Sequence, residues 1–208
     1  MKNDNMVDLY SLNPDHYNTG LMRIGATKKQ SLEYSSLFDS YRFRYLNVVS
    51  KIIKTLPKGS IVGDIGMGTG EDILYLSKKF PQHKFVGIEL SKETILLVKK
   101  KINRPNIKNI IVDHNNEWFK KYKFDLVINN CVFEHVGSVN EFSYQLSKSL
   151  KKNSSFVFLV PSHFYWIFWM FFFYLLRYPF KGSPKTHSVK KNVMFQTFKS
   201  SNLNLKYF

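Results

Sequence analysis

Apolar residues in this chain follow two different periods, and the change between them marks its architecture. From about Ser31, Tyr45, Val48, Val49, Ile52, Ile53 and Leu56 recur at spacings of three and four, which predicts one apolar stripe along a helix. Pro57, Lys58 and Gly59 end that helix. Beyond them, short apolar runs stand at 61–65 (IVGDI), 84–88 (KFVGI), 109–113 (NIIVD), 124–129 (FDLVIN) and 155–160 (SFVFLV). These runs are continuous rather than alternating, as expected of parallel strands buried on both faces. Between them, Ile73, Leu76 and Phe80 make a helical stripe, and Ile95, Val98 and Ile102 make another. Ser138 and Glu141 form an S-x-x-E capping signal ahead of Phe142, Leu146 and Leu150, and Lys151 and Lys152 suit the negative end of that helix. Residues 194–201 read as a short helix and 203–208 as a sixth strand. Strand alternating with helix predicts an α/β fold with a doubly wound, mostly parallel sheet.

Composition narrows the class. A chain of 208 residues with 44% hydrophobic content is one domain with enough apolar surface for a core, which excludes a disordered or fibrous protein. Cys131 is the one cysteine, so an internal disulfide is excluded and a thiolate zinc site is disfavoured. The first residues, MKNDNMVDLY, carry no apolar stretch behind a basic start, and a reducing, cytoplasmic setting is expected. Charge is lopsided. Lys and Arg number 31 against 15 acids, and residues 137–208 hold ten of those bases with Glu141 as their single acid. Such a field attracts a polyanion, either nucleic acid or an anionic bilayer.

The first strand runs into Asp64-Ile65-Gly66-Met67-Gly68-Thr69-Gly70-Glu71-Asp72. Glycines at a strand-to-helix turn let a ligand approach the backbone, and the helix start offers unpaired N–H donors. The dinucleotide fingerprint would need glycine where Glu71 stands, and no G-K-[ST] follows as a Walker loop would require. Glu71 and Asp72 would also repel a pyrophosphate. The ligand of this loop is therefore expected to lack phosphate, and S-adenosylmethionine (SAM) meets that demand. Glu89, 25 residues after Asp64, ends the second strand, where an acid accepts hydrogen bonds from ribose hydroxyls. Asp113 ends the third run, placed to meet an adenine amino group.

These segments, D-I-G-M-G-T-G, V-G-I-E-L and F-D-L-V-I-N-N-C-V-F-E-H-V, resemble the class I SAM-dependent methyltransferases. Within them the resemblance is to the small-molecule branch that includes the ubiquinone-biosynthesis methyltransferases, and it covers roughly residues 40–160. It implies a Rossmann-like methyltransferase sheet and SAM as cofactor. By resemblance, Gly66, Gly68 and Gly70 face the methionine moiety, Asp64 supports its amino end, Glu89 holds the ribose and Asp113 the adenine, and Asn129 lies beside the methionine moiety.

The acceptor side is read at the fourth strand. Amino-directed nucleic-acid enzymes carry N/D-P-P-Y/F there, whereas this chain has Asn129-Asn130-Cys131-Val132, which argues against DNA base methylation. Glu134-His135 matches the end of the E-x-x-E-H pattern of ubiquinone-type O-methyltransferases, with Cys131 in place of the first acid. One hard oxygen ligand is thus missing, which disfavours magnesium or calcium. Glu134 and His135 are candidate catalytic residues, with structural and metal-holding roles as alternatives.

After the fifth run comes a block from Phe164 to Leu176 in which nine of the first eleven residues are aromatic, followed by Arg177, Lys181, Lys185, Lys190 and Lys191. As a helix the block spans about 20 Å, short of the ~30 Å hydrocarbon core, so it does not cross a bilayer alone. Aromatic mass with a basic flank is the arrangement that holds a peripheral protein on an anionic membrane. An RNA surface would instead interleave bases with isolated aromatics. The expected organisation is an N-terminal arm and helical cap (1–40), a SAM-binding core (41–162), an aromatic and basic insert (163–186) contacting the membrane through 164–191, and a C-terminal part (187–208). The expected function is methyl transfer to a small, lipophilic or lipid-linked acceptor at a membrane surface. RNA methylation and a non-catalytic subunit with an aromatic partner surface are the alternatives.

Overall fold

In the computed structural model the described residues are 28–90, 92–112, 117–133, 136–160, 191–201 and 203. Five strands form one sheet: β1 (Ile61–Ile65), β2 (Lys84–Glu89), β3 (Ile107–Val112), β4 (Phe124–Asn130) and β5 (Leu150–Leu159). Their order is β3-β2-β1-β4-β5, and every neighbouring pair is parallel. The helices are α1 (Lys28–Thr55), α2 (Glu71–Lys79), α3 (Lys92–Lys101), α4 (Trp118–Lys121), α5 (Val139–Ser149) and α6 (Lys191–Ser200). The chain thus has the doubly wound α/β architecture read from its periodicity. The strand order turns at β1, which has β2 on one side and β4 on the other, and such a switch point opens a crevice at the carboxyl edge.

Two apolar layers cover the two faces of the sheet. On one, Tyr45, Leu46, Val49 and Ile53 of α1 pack with Ile73 and Leu76 of α2, Ile95 and Val98 of α3, and Phe85, Leu126 and Ile128 of the sheet. On the other, Trp118 of α4, Phe142 and Leu146 of α5 and Met194 and Phe198 of α6 cover Val86, Ile88 and Val127. Alternate strand residues feed opposite layers, which is why the runs in the sequence are unbroken. Gly63 of β1 is set by this packing: a Cβ there would stand 2.7 Å from the Phe124 ring.

Some boundaries differ from the periodicity. α1 begins at Lys28, and β3 covers 107–112 rather than 109–113. β5 starts at Leu150, opposite Phe124, so Lys151 and Lys152 belong to a strand and not to the end of α5. The reason is position. β5 pairs only with β4 among the described strands, and its exposed start tolerates Lys151, Lys152 and Asn153, which an apolar-run criterion rejects. The capping reading of Ser138 matches the structure, its hydroxyl accepting the Glu141 N–H at 3.2 Å. The aromatic block, Arg177, Lys181, Lys185 and Lys190 of its basic flank, and residues 204–208 lie outside the described residues.

An aromatic cluster ties α6 to the second layer. Phe198 lies 5.6 Å from Phe133, 5.3 Å from Phe158 and 6.1 Å from Phe156. Phe198→Ala should therefore cost about 3–5 kcal/mol in urea denaturation. Val193→Ala, on the exposed side of the same helix, should stay within about 0.5 kcal/mol of the parent.

Candidate functional site

The turn after β1 is a chain of constrained backbone. Gly66, Gly68 and Gly70 have φ of 73°, 55° and 73°, in the left-handed region that glycine enters without steric cost. Space is short as well: a Cβ on Gly66 would lie 2.4 Å from Val132 Cγ2, and one on Gly70 would lie 2.7 Å from Ile102 Cδ1. The loop is pinned to β2, because the N–H groups of Gly66 and Met67 donate to the Ile88 carbonyl at 2.8 and 3.1 Å. Gly68 N–H donates to Glu89 Oε2 at 2.9 Å, and Leu90 N–H donates to Glu89 Oε1 at 2.8 Å. Glu89, read from sequence only as a ligand-facing acid, therefore also fastens the loop.

Asp64, Asp72 and Glu89 are all buried at this edge. Asp72 of α2 is compensated within the protein: Arg42 Nε of α1 lies 2.5 Å from its Oδ1, and Asn130 Nδ2 donates to its Oδ2 at 3.0 Å. Asp64 is not compensated in this way. Its Oδ2 has no hydrogen-bond partner among the described residues. Burial pushes its pKa well above the usual aspartate value, the charges of Asp72 and Glu89 push it further, and Arg42 opposes them. Three buried carboxylates stand here against one neighbouring cation, Arg42, among the described residues, which favours a cationic ligand.

The end of β4 closes the edge from the other side. Asn129, fully buried, donates from Nδ2 to the Ile65 carbonyl at 2.8 Å, and its backbone N–H donates to the Tyr45 hydroxyl at 2.9 Å. The Oδ1 atoms of Asn129 and Asn130 are buried without a partner among the described residues. Tyr45 is buried, which raises the pKa of its phenol, as do the nearby charges of Asp64 and Asp72, so it stays a neutral hydroxyl that accepts the Asn129 N–H. Cys131 follows at φ 56°, its N–H donating to the Leu159 carbonyl at 2.9 Å.

The structure thus brings Asp64, Gly66, Gly68, Gly70, Glu89 and Asn129 to one edge. Asp113, Glu134 and His135 lie outside the described residues. Sequence reasoning missed Arg42, Tyr45 and Asn130, and treated Asp72 only as a phosphate repellent. Arg42 and Tyr45 are three residues apart on α1 and so share a face, but Tyr45 reads as one more member of the apolar stripe. The unpartnered oxygens of Asp64 and Asn129 can accept hydrogen bonds from a ligand, and the surplus negative charge suits a cation.

The sequence model of a family described as "Methyltransferase domain" matches residues 38–198. The chain is 27% identical over 136 residues to malonyl-[acyl-carrier protein] O-methyltransferase of Priestia megaterium, covering 63% of this chain and 49% of that protein. It therefore spans about half the length of that relative. A stretch of 53 residues, 26% of this chain and 17% of the relative, is 40% identical to a tRNA (guanine-N(7)-)-methyltransferase of Thermotoga maritima. Among solved structures, the cyclopropane synthase MmaA2 of Mycobacterium tuberculosis shares the fold at TM-score 0.65 and 15% identity, over 98% of this chain and 75% of that one.

Asp64 supplies a test of the edge. Because its folded pKa is raised, the folded chain holds this proton more tightly than the unfolded chain. The stability it confers is full below the ordinary aspartate value of about 3.9 and is lost as pH rises through the raised value. Asp64→Asn should remove that loss. Its melting temperature without ligand should exceed the parent's at neutral pH, by about 2–4 °C for each kcal/mol relieved, and the gap should close towards pH 4. The same variant should bind SAM more weakly, measured by calorimetry.

Proposed function

This chain belongs to the methyltransferase-domain family, and on that premise we propose that it transfers the methyl group of SAM to a small, lipophilic or lipid-linked acceptor at a membrane surface. The observation that carries the donor half is the edge itself: three left-handed glycines beside buried Asp64, with its unpartnered oxygen, and Glu89. In this reading the glycine loop admits the methionine moiety to the backbone, and Asp64 and Asn129 accept hydrogen bonds from its ammonium. Glu89 accepts from the ribose hydroxyls, and Asp113 meets the adenine amino group.

SAM supplies an activated methyl group on a sulfonium. The protein's task is to hold an acceptor nucleophile in line behind that carbon. As the new bond forms the carbon–sulfur bond breaks, and the sulfur is left as a neutral thioether. An acceptor hydroxyl or amine must also lose a proton, and Glu134 or His135, just beyond β4, is assigned that role.

The acceptor class rests on the sequence. The aromatic block and its lysines come next in the sequence after β5, whose carboxyl end belongs to the same sheet edge as Asp64 and Glu89. A pocket opening there towards a bilayer spares an apolar acceptor passage through water. No helix among the described residues is long and apolar enough to cross a membrane. The relative in Priestia megaterium, by its name, methylates an acceptor carried on a protein.

Calorimetry should show SAM and its demethylated product binding, with Glu89→Ala about 10- to 100-fold weaker through loss of charge-assisted hydrogen bonds. Equal affinity would remove Glu89 from the site. Flotation with anionic vesicles should leave a salt-resistant bound fraction that Trp166→Ser with Trp169→Ser abolishes. If the parent ignores vesicles, the membrane half of the proposal is wrong while the donor half stands. A radiolabelled-methyl assay on a membrane extract then identifies the product.

A further inference from the structure

The charges of the sheet separate along its strands. Asp64, Asp72 and Glu89 crowd the carboxyl edge, while lysines gather where strands begin and where α2 and α5 end. On the face bearing α4 and α5 this becomes a dense patch. Lys120, Lys121, Lys123, Lys148, Lys151 and Lys152 are all exposed there. Two carboxylates stand among them: Glu117, paired with Lys120 at 2.9 Å, and Asp125, which holds Lys151 at 2.8 Å and also accepts the Ile61 N–H at 2.7 Å. Lys123 donates to the carbonyl of Lys148, which draws the end of α5 against the start of β4.

Aromatic rings are interleaved with these cations. Tyr144 is 53% exposed and stands edge-on to Phe119, with ring centroids 6.4 Å apart. Lys148 lies 5.4 Å over the Tyr144 ring, and Lys120 lies 5.9 Å over Phe119. The lysine heads are therefore held beside open ring surface rather than spread through solvent.

We propose that this α4–α5 patch binds single-stranded nucleic acid, with backbone phosphates on the lysines and a base stacked on Tyr144. Aromatic platforms among cations are how such strands are held without sequence reading. The cations are all lysine, point charges that neutralise phosphate without the fork geometry that reads a guanine edge. A bilayer is the poorer fit, because Tyr144 is the one exposed large apolar side chain that α4 and α5 offer among the described residues, and neither helix offers an exposed aliphatic side chain to insert. The patch is also remote from the edge where the chain leaves β5. From Lys152 to Leu159 the strand rises about 23 Å at ~3.3 Å per residue, nearly three times the Debye length of about 8 Å. A membrane engaged at one edge therefore leaves the charge at the other unanswered.

Fluorescence anisotropy with labelled 20-mers of uridine and of deoxythymidine tests the proposal on the full chain. Binding should weaken with salt, with a log–log slope near −4 if six phosphates are neutralised. Lys120→Glu with Lys121→Glu and Lys148→Glu should cut affinity more than tenfold and flatten the slope by about 2. Tyr144→Ala should weaken binding about 5- to 150-fold with the slope unchanged. Lys92→Glu, an exposed lysine at the opposite edge, should have little effect, and SAM affinity of the patch variants should match the parent's, showing that they fold. The proposal is overturned if Lys92→Glu weakens binding as much per charge as the patch variants do. It is equally overturned if Tyr144→Ala is neutral and poly-glutamate competes as well as the oligonucleotide, which would mark an acidic protein partner. Patch-dependent binding to anionic vesicles with no oligonucleotide binding also overturns it.

Discussion

Mutual repulsion among Asp64, Asp72 and Glu89, buried together where β1 and β2 end and α2 begins, is the constraint around which this edge is organised. Each carboxylate is handled differently. Glu89 is satisfied by the N–H groups of Gly68 and Leu90, and the Gly68 donor is presented by a backbone at positive φ. Asp72 is satisfied by Arg42 and Asn130, which requires α1 and the end of β4 to converge on α2. Asp64 is left with its proton, or with whatever cation enters. The glycine turn and the seat of the first helix are two answers to one electrostatic problem, and Asp64 is the part of it that the described residues leave unanswered.

The two layers divide the work. The layer containing α1, α2 and α3 supports the loop from below, with Ile102 filling the space beside Gly70. The opposite layer holds the segment after β4. Phe133 is fully buried, 5.0 Å from Phe142 and 5.3 Å from Phe158, so the strained step at Cys131 is anchored two residues later in well-packed rings. A strain of this kind, of order 1–3 kcal/mol, persists where its surroundings over-determine it.

Much of this was legible in the residues. Strand–helix alternation yields the sheet, and the glycines with Asp64 and Glu89 mark the turn and strand end that meet at its carboxyl edge, because parallel strands and turns demand distinctive residue types. Less legible was anything that depends on contact between distant segments. Tyr45 reads as core because a tyrosine in an apolar stripe carries no sign that its hydroxyl will meet Asn129, 84 positions away. Asp72 reads as a bare charge because nothing local announces Arg42. The early start of β5 escapes for a related reason: a strand edge facing water has no apolar signature.

Gly66 and Val132 belong to opposite halves of the chain, yet a single missing methyl group lets them meet. This has a consequence for the order in which the protein matures during synthesis. β1, β2 and β3 with α2 and α3 emerge before β4 and carry the glycine loop with Asp64, Asp72 and Glu89, but that loop then lacks its wall. Asn129, which grips the Ile65 carbonyl, and Val132, which caps Gly66, are added only when the fourth strand slides in on the other side of β1. A nascent chain stopped before that strand presents a glycine turn with one side open to water. If this edge holds the donor as proposed, cofactor competence is a late acquisition, gained when the growing sheet closes around its own centre.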